Sequence, residues 1–221
     1  MKIKVTFLFD KTNLWIKKYF IKKDFINNKS FNFNFSENYK YVKNQDIVIP
    51  ISYTKILSDS FFNSNKLVVG VHPSNLPRDK GFAPVQNQIL KNRNKIYLTF
   101  FQLTSKTDSG PIYFKNFFKL VGNELHNEVR KKQALLIKKM IIKFLNKYPN
   151  IKKETQKGKS NFNKRRYPEH NKLNINKSIK KQFNLLRVSD NEKFPAYFIY
   201  KKHKYVLKIY KYKKLDNNEY K

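Results

Sequence analysis

The segment KLVVGVHPSNLPRDKGFAP, residues 66–84, decides the fold because an apolar run passes directly into a proline-rich loop. Its first half is almost continuously apolar, which is typical of a strand buried on both faces of a sheet. The rest carries three prolines and a glycine and predicts an irregular loop. A second apolar run, DIVIPISY at 46–53, predicts another buried strand, with Pro50 near its end. Open α/β sheets bind ligands at the carboxyl ends of their strands, so we expect a functional site in the loop.

Further strands and helices alternate over residues 1–148. β-Branched and aromatic runs or strict alternation predict strands at 2–9, 31–35, 95–104 and 111–120. The helical spacing of apolar residues predicts helices at 13–26, 84–92 and 123–147. This order predicts an α/β fold with an open, mostly parallel, Rossmann-like sheet.

The composition changes after residue 148. Residues 149–166 are polar, basic and almost free of aliphatic side chains, which predicts a linker or exposed loop. A predicted helix at 178–188 and two predicted strands at 196–202 and 204–212 follow. We therefore divide the chain into a main domain, 1–148, and a linker with a small C-terminal α+β domain, 149–221.

The net charge of +33 raises the question of a nucleic-acid partner. However, the lysines are spread over the whole length and accompany an excess of Asn, Ile, Phe and Tyr. This pattern favours general compositional drift over a dedicated nucleic-acid surface, so we do not expect nucleic acid as the partner. A basic surface would still attract anionic ligands.

Several classes of protein and site are excluded by what the sequence lacks. Without cysteine there is no disulfide and no thiolate metal site, and no His, Asp or Glu grouping has metal-ligand spacing. The first glycine is Gly70, so there is no dinucleotide fingerprint and no P-loop. We find neither a signal peptide nor a run of about 18 apolar residues. We therefore expect a cytoplasmic protein with no metal and no membrane span.

Two short motifs carry candidate chemistry. His72 opens the loop, and Asp108 lies in the turn TDSGPI at 107–112. Alone, such a histidine is usually structural, and such an aspartate usually caps its turn. Together the two motifs resemble those of the folate-dependent formyltransferases. The matching residues are His72, Ser74, Leu76, Pro77, Gly81, Pro84, Asp108 and Gly110.

The resemblance implies a formyltransferase fold for the catalytic domain, 1–148, and N10-formyltetrahydrofolate as the formyl donor. It assigns oxyanion stabilisation and proton handling to His72. It assigns to Asp108 the orientation of His72 and uptake of the amine proton through water, help that contributes about 10²–10⁴-fold to such reactions. The residues implied in binding the donor are Tyr53, Thr54, Lys55, Ile56 and Gly81.

One position departs from the family pattern. The family carries a catalytic Asn two residues before the His, and this chain has Gly70 there. In the family that side chain donates a hydrogen bond to the forming oxyanion, and such a donor contributes about 10²–10³-fold in rate. The sequence does not identify a replacement.

The C-terminal region contains RRYPEHNKLNINKSI at 165–179, FNLLRVSDNEKFPAYF at 183–198 and KYVLKI at 204–209. These segments resemble the small C-terminal domain of the nucleotide-sugar N-formyltransferases. The resemblance implies an acceptor amine on a nucleotide-linked aminosugar, as in lipopolysaccharide or other glycan biosynthesis. It also implies a homodimer. Only about seventy residues follow the long helix, which argues against the barrel domain of a methionyl-tRNA formyltransferase. That enzyme, and a catalytically weakened basic protein that binds nucleic acid, stay open as alternatives. The candidate acceptor-binding residues are Ser74, Asn75, Arg78, Lys80 and Arg166.

Two further predictions concern charged side chains outside the two motif positions His72 and Asp108. We predict that Asp79, between Arg78 and Lys80, is a solvated loop charge. Arg165, Arg166 and Arg187 are candidates for contacting a diphosphate, because arginine suits bidentate phosphate recognition. The alternative for each, which we favour slightly, is a solvated surface charge.

Overall fold

The computed structural model describes residues 2–20 and 30–212. The strands of this part are β1 Ile3–Phe9, β2 Phe31–Ser36, β3 Ile47–Ile51, β4 Val69–His72, β5 Lys80–Gly81, β6 Lys95–Gln102, β7 Ile112–Lys119, β8 Phe162–Asn163, β9 Ala196–Tyr200 and β10 His203–Leu207. The α-helices are α1 Asp59–Asn63, α2 Pro84–Leu90, α3 His126–Lys147 and α4 Ile179–Val188. Short 3₁₀ helices span Leu14–Tyr19, Tyr39–Tyr41 and Pro168–Asn171.

The main sheet has the order β2–β1–β3–β4–β6–β7 in the described residues. β1 pairs in parallel with β2 and β3, and a parallel bridge between Val48 and Val68 joins β3 to the start of β4. β4 and β6 pair antiparallel, and so do β6 and β7, which are connected by a turn. The predicted open α/β sheet is confirmed, with a parallel half and an antiparallel half.

The main core lies between this sheet and α3. Helix α3 buries the face that carries Ile137, Ile141 and Phe144. The ring of Phe144 stacks on that of Phe100 in β6, with the centroids 4.7 Å apart. Burial of each such side chain contributes roughly 1.5–3 kcal/mol. This packing fixes β6, and β6 pairs directly with the strand that ends at His72.

The predicted helix at 13–26 differs in the structure. Leu14–Tyr19 forms a 3₁₀ helix, and residues 21–29 lie outside the described ranges. The short helix α1 was missed, because five residues are too few for a periodic apolar pattern; Ser58 caps it by accepting from the backbone N–H of Phe61.

Residues 149–166 are not a free linker. Residues 153–163, which we call the strap, run back along the main domain and pair with it at several points. Glu154 exchanges two backbone hydrogen bonds with Ile112, at 2.7 and 2.8 Å. Further along, β8 pairs in parallel with β5. Sequence patterns missed this arrangement because isolated polar contacts in a lysine-rich segment have no periodicity.

A small unit follows the strap. The 3₁₀ helix Pro168–Asn171, α4 and the hairpin β9–β10 enclose a core of Leu173, Leu186 and Ala196. Arg187 is 1% exposed, and its Nη1 lies 3.8 Å from Oε2 of Glu124. Arg187 is therefore neither a solvated surface charge nor open to a diphosphate, the two roles that the sequence suggested. In the described ranges, no helix combines the length and the apolarity that crossing a membrane requires.

Candidate active site

His72 and Asp108 meet at the carboxyl end of β4. His72 is the last residue of that strand and is 7% exposed. Asp108 lies in the turn between β6 and β7. Nδ1 of His72 lies 3.3 Å from Oδ1 of Asp108. The fold thus brings into contact the two side chains that the motifs singled out.

Both ring nitrogens of His72 face protein oxygens. Nε2 lies 2.9 Å from the backbone oxygen of Asp79, which can only accept, so Nε2 carries a proton. Nδ1 faces the Asp108 carboxyl group, and these two groups can share one further proton. With that proton bound, they form an imidazolium–carboxylate pair; without it, Nδ1 presents a lone pair. The pair can therefore take up a proton from a nearby amine.

This arrangement restricts what His72 can do. Neither ring N–H is free to donate to a forming oxyanion, because both nitrogens are directed at oxygens of the protein. The geometry fits the proton-handling half of the role that the resemblance implied for His72, and it does not provide the donor half.

The Asp108 turn is held on three sides. Oδ2 of Asp108 accepts the backbone N–H of Gly81 at 2.9 Å. From the strap, Nε2 of Gln156 donates to the backbone oxygens of Asp108 and Gly110, each at 2.9 Å. A Cβ at Gly110 would lie 1.9 Å from the backbone oxygen of Gln102, so only glycine lets this turn pack against β6. These contacts point the Asp108 carboxylate at His72.

Lys80 lies beside the same turn and is 7% exposed. Its Nζ donates to Oγ of Ser109 at 3.0 Å and lies 5.6 Å from the ring centre of Phe162. Burial lowers the pKa of Lys80, and attraction to Asp108 opposes that change. The ammonium group therefore contributes positive charge next to the Asp108 carboxylate.

Asp79 is not the solvated charge that we predicted. It is 2% exposed, and its carboxylate binds Nζ of Lys91 at 2.7 Å and Nη1 of Arg93 at 2.8 Å. Burial would raise the pKa of Asp79, but hydrogen bonds from Lys91, Asn161 and Arg93 lower it. Asp79 thereby fixes the loop whose backbone oxygen orients His72.

Gly70 leaves the family's Asn position without a side chain. A Cβ there would lie 2.8 Å from Cδ1 of Leu103 and 3.5 Å from the backbone oxygen of Pro50. The Leu103 side chain therefore occupies the space that a larger residue at position 70 would enter.

The segment predicted to bind the donor follows β3. Oδ2 of Asp10 accepts the backbone N–H of Thr54 at 3.1 Å and also its hydroxyl group, while Oδ1 accepts the N–H and hydroxyl of Thr12 at 2.9 and 2.8 Å. Burial would raise the pKa of Asp10, but these four hydrogen bonds lower it to about 2. An ionised Asp10 therefore joins the ends of β1 and β3.

The predicted donor-binding residues 53–56 differ in how far their side chains are exposed. Ile56 is 91% exposed, which leaves an apolar surface open to a flat ring such as a pterin. Tyr53 is half-buried against the ring of Tyr39. Lys55, like Thr54, is exposed. A fixed loop with an exposed aliphatic side chain fits the donor that the resemblance implies.

The predicted acceptor-binding residues occupy different surroundings. Ser74 is fully buried and its hydroxyl donates to the backbone oxygen of Arg78 at 2.7 Å, so it stabilises the loop and presents no surface to a substrate. Asn75 accepts from Nζ of Lys115 at 2.7 Å. Arg78 is exposed. Arg166 donates to Asn171 Oδ1 at 2.9 Å, within the C-terminal unit.

Sequence reasoning missed three residues next to the site: Gln156, Asn161 and Lys115. Asn161 accepts the backbone N–H of Asp79 through Oδ1 at 3.1 Å. Each lies far along the chain from its partner and in no recognisable motif, so only the fold identifies them. In residues 2–20 and 30–212 no group of three or more His, Asp or Glu side chains could hold a metal ion.

Comparisons with known proteins agree on a family. The model of the formyl transferase family matches residues 10–145. The methionyl-tRNA formyltransferase of Thermosipho melanesiensis is 33% identical over 156 residues, which are 70% of this chain and 51% of the relative. The chain spans about half the length, or less, of the curated relatives that it matches.

Solved structures show the same fold. A methionyl-tRNA formyltransferase from Clostridium thermocellum has a TM-score of 0.79 at 21% identity, covering 96% of this chain and 94% of that one. A 4-N formyltransferase from Francisella tularensis has a TM-score of 0.71 at 16% identity, covering 96% and 98%. HypX from Aquifex aeolicus, solved with tetrahydrofolic acid, has a TM-score of 0.69 at 12% identity, covering 95% and 38%.

The family model covers more than half of the chain, and the fold agrees over nearly all of it. The chain therefore belongs to the formyltransferase family, enzymes that transfer a one-carbon group from N10-formyltetrahydrofolate.

Proposed function

We propose that this chain transfers a formyl group to a primary amine and that His72 and Asp108 take up the proton which the amine loses. The single observation that carries the proposal is the 3.3 Å contact between Nδ1 of His72 and Oδ1 of Asp108. The donor supplies an activated formyl group. A neutral amine gains positive charge as it attacks, and a shared proton site beside it stabilises that charge by removing the proton.

The surroundings of the pair support this role. The backbone oxygen of Asp79 fixes the ring orientation of His72, and the strap fixes Asp108. Because His72 is 7% exposed, little bulk water reaches the pair. The loop after β3, held by Asp10, is the proposed surface for the pterin of the donor, with Ile56 against the ring.

The first candidate acceptor is the amino group of methionyl-tRNA. The curated relatives with 33% and 31% identity carry the name methionyl-tRNA formyltransferase. A solved chain of that name is matched over 94% of its own length. The short region after the long helix, which argued against this acceptor in the sequence analysis, therefore does not distinguish the two acceptors. The charge of +33 suits a polyanionic acceptor.

The second candidate is the nucleotide-linked aminosugar predicted from the sequence. A solved sugar N-formyltransferase from a Shewanella species is matched over 97% of its own length, including the C-terminal region. A solved Mycobacterium tuberculosis chain, for which the same activity is inferred, is matched over 100% of its length. At 13% to 17% identity these matches support the fold and leave the acceptor to experiment.

The test is formyl transfer from N10-formyltetrahydrofolate to methionyl-tRNA and to a panel of nucleotide-linked aminosugars, detected by mass spectrometry. His72→Ala and Asp108→Asn should each lower kcat by about 10²–10⁴-fold. His203→Ala is the matched control, because His203 is exposed in the β9–β10 hairpin. Full transfer by a folded His72→Ala variant, judged by circular dichroism, would contradict the proposal.

A further inference from the structure

Two cationic side chains meet at one turn of the loop that follows His72: Arg78 belongs to the turn, and Lys115 reaches it from β7. The backbone N–H of Arg78 donates to the oxygen of Asn75 at 3.0 Å and closes this turn. From β7, Nζ of Lys115 donates to Oδ1 of Asn75 at 2.7 Å and to the backbone oxygen of Leu76 at 2.6 Å. Lys115 is thus held against the turn that carries Arg78.

The charges of these two residues are not compensated, in contrast to those of their neighbours. Lys91 and Arg93 are both bound to the Asp79 carboxylate. No ion pair among the described residues includes Arg78 or Lys115. Partial burial lowers the pKa of Lys115, and the nearby charge of Arg78 lowers it further. An anion bound between the two would offset the cost of partly burying the Lys115 charge and the repulsion between Lys115 and Arg78.

The geometry also limits the kind of anion. The ammonium group of Lys115 has three N–H donors, of which two are used on neutral oxygens of the turn. The guanidinium group of Arg78 is exposed, and its planar fork suits two oxygens of one phosphate.

We propose that Arg78 and Lys115 form a subsite for a phosphate group of the formyl acceptor. The inference rests on the proposed function, because both candidate acceptors, an aminoacylated RNA and a nucleotide-linked aminosugar, carry phosphate. The subsite lies on the His72 loop, so a phosphate held there would place the rest of the acceptor near the catalytic pair.

The first experiment needs no acceptor. Binding of inorganic pyrophosphate is measured by calorimetry for the wild type, for Arg78→Gln and for the double variant Arg78→Gln/Lys115→Gln. In residues 2–20 and 30–212 the side chain of Arg78 makes no hydrogen bond, and the turn is closed by its backbone N–H, so Arg78→Gln should leave the turn intact. Each removed charge–phosphate contact should weaken binding by about tenfold or more.

Lys119→Gln is the matched control, since Lys119 lies on the same strand and face as Lys115. It should change pyrophosphate binding by less than about threefold, as expected for a screened surface charge. An equal loss in Lys119→Gln and Arg78→Gln would overturn the subsite and leave only a general charge effect. Unchanged binding in the double variant would overturn it as well.

The second experiment measures steady-state formyl transfer with each phosphate-bearing acceptor and with methioninamide or a free aminosugar. For the acceptor that is used, Arg78→Gln should raise KM about tenfold or more and leave kcat nearly unchanged. KM for the phosphate-free compound should not change. A fall in kcat at constant KM would overturn the subsite.

These outcomes also separate the two proposals. If pyrophosphate binding depends on Arg78 and Lys115 but no acceptor is formylated, the proposed function fails and the anion site remains. If transfer proceeds and both variants behave as the wild type, the subsite fails and the function remains. The acceptor whose KM responds, RNA or nucleotide sugar, identifies the source of the phosphate.

Discussion

Replacement of Asp10 by asparagine tests how the structure positions the loop after β3, which is the proposed donor-binding loop. The Asp10 carboxylate accepts four hydrogen bonds from Thr12 and Thr54, and an amide in its place presents a donor towards one of these donors. The pKa of Asp10 is lowered from 3.8 to about 2, and the group is only 2% exposed. At 1.36 kcal/mol per pKa unit, this corresponds to roughly 2 kcal/mol of stability at pH 7.

The dependence on pH follows from the direction of the shift. Because the pKa is lower in the folded state, the stabilisation is complete above the unfolded value of 3.8 and is lost as the pH falls towards 2. Urea denaturation of the wild type and of Asp10→Asn should therefore differ by roughly 2 kcal/mol at pH 7 and by much less near pH 2. Comparing the two proteins at each pH cancels the contributions of other acids, such as Glu124.

Asp59→Asn is the control, because Asp59 is exposed at the start of α1 and should cost less than about 0.5 kcal/mol. If Asp10→Asn costs the same at pH 7 and pH 2, or costs no more than Asp59→Asn, the charge of Asp10 does not hold the two strand ends together. The folded variant should also raise KM for N10-formyltetrahydrofolate, because Thr54 loses its anchor.

Two further changes test the proposed chemistry at His72 and Asp108 and at the neighbouring Gly70. Gly70→Asn combined with Leu103→Ala restores the family's Asn side chain and makes space for it. In steady-state kinetics this double variant should raise kcat by up to about 10²-fold. No gain in kcat would mean that another hydrogen-bond donor already stabilises the oxyanion. Gln156→Glu keeps the shape but removes both N–H donors to the Asp108 turn, so kcat should fall about tenfold and its pH profile should shift, with KM unchanged. The same loss in Lys157→Ala would attribute the effect to the strap in general and not to Gln156.

The sequence predicted those features that leave a local or periodic signal. The apolar runs located β3 and β4, and the long amphipathic pattern located α3 within three residues. The spacing of His72 and Asp108 was informative only through the resemblance to a family, because neither motif alone separates a catalytic group from a structural one. Physical reasoning on the residues could not supply the role of Asp79, whose burial depends on Lys91 and Arg93 folding back onto the loop.

Contacts between distant and aperiodic segments were beyond sequence reasoning. Gln156 reaches Asp108 across 48 positions, and Asn161 reaches Asp79 across 82. Each contact depends on the path of the strap, which no hydrophobic pattern encodes. For the same reason the uncompensated pair of Arg78 and Lys115 became visible only when their neighbours' ion pairs were known.

The path of the strap has a consequence for how the chain can be shortened. The family match ends at residue 145, and the predicted catalytic domain at 148, yet the groups that align Asp108 and the His72 loop come from residues 154–163. A fragment cut at either boundary would keep the sheet and α3. It would lose Gln156, which donates to the Asp108 turn, and Asn161, which accepts from Asp79. The shortest fragment that keeps both contacts therefore has to include residue 161, inside the segment that the composition marks as a linker or exposed loop.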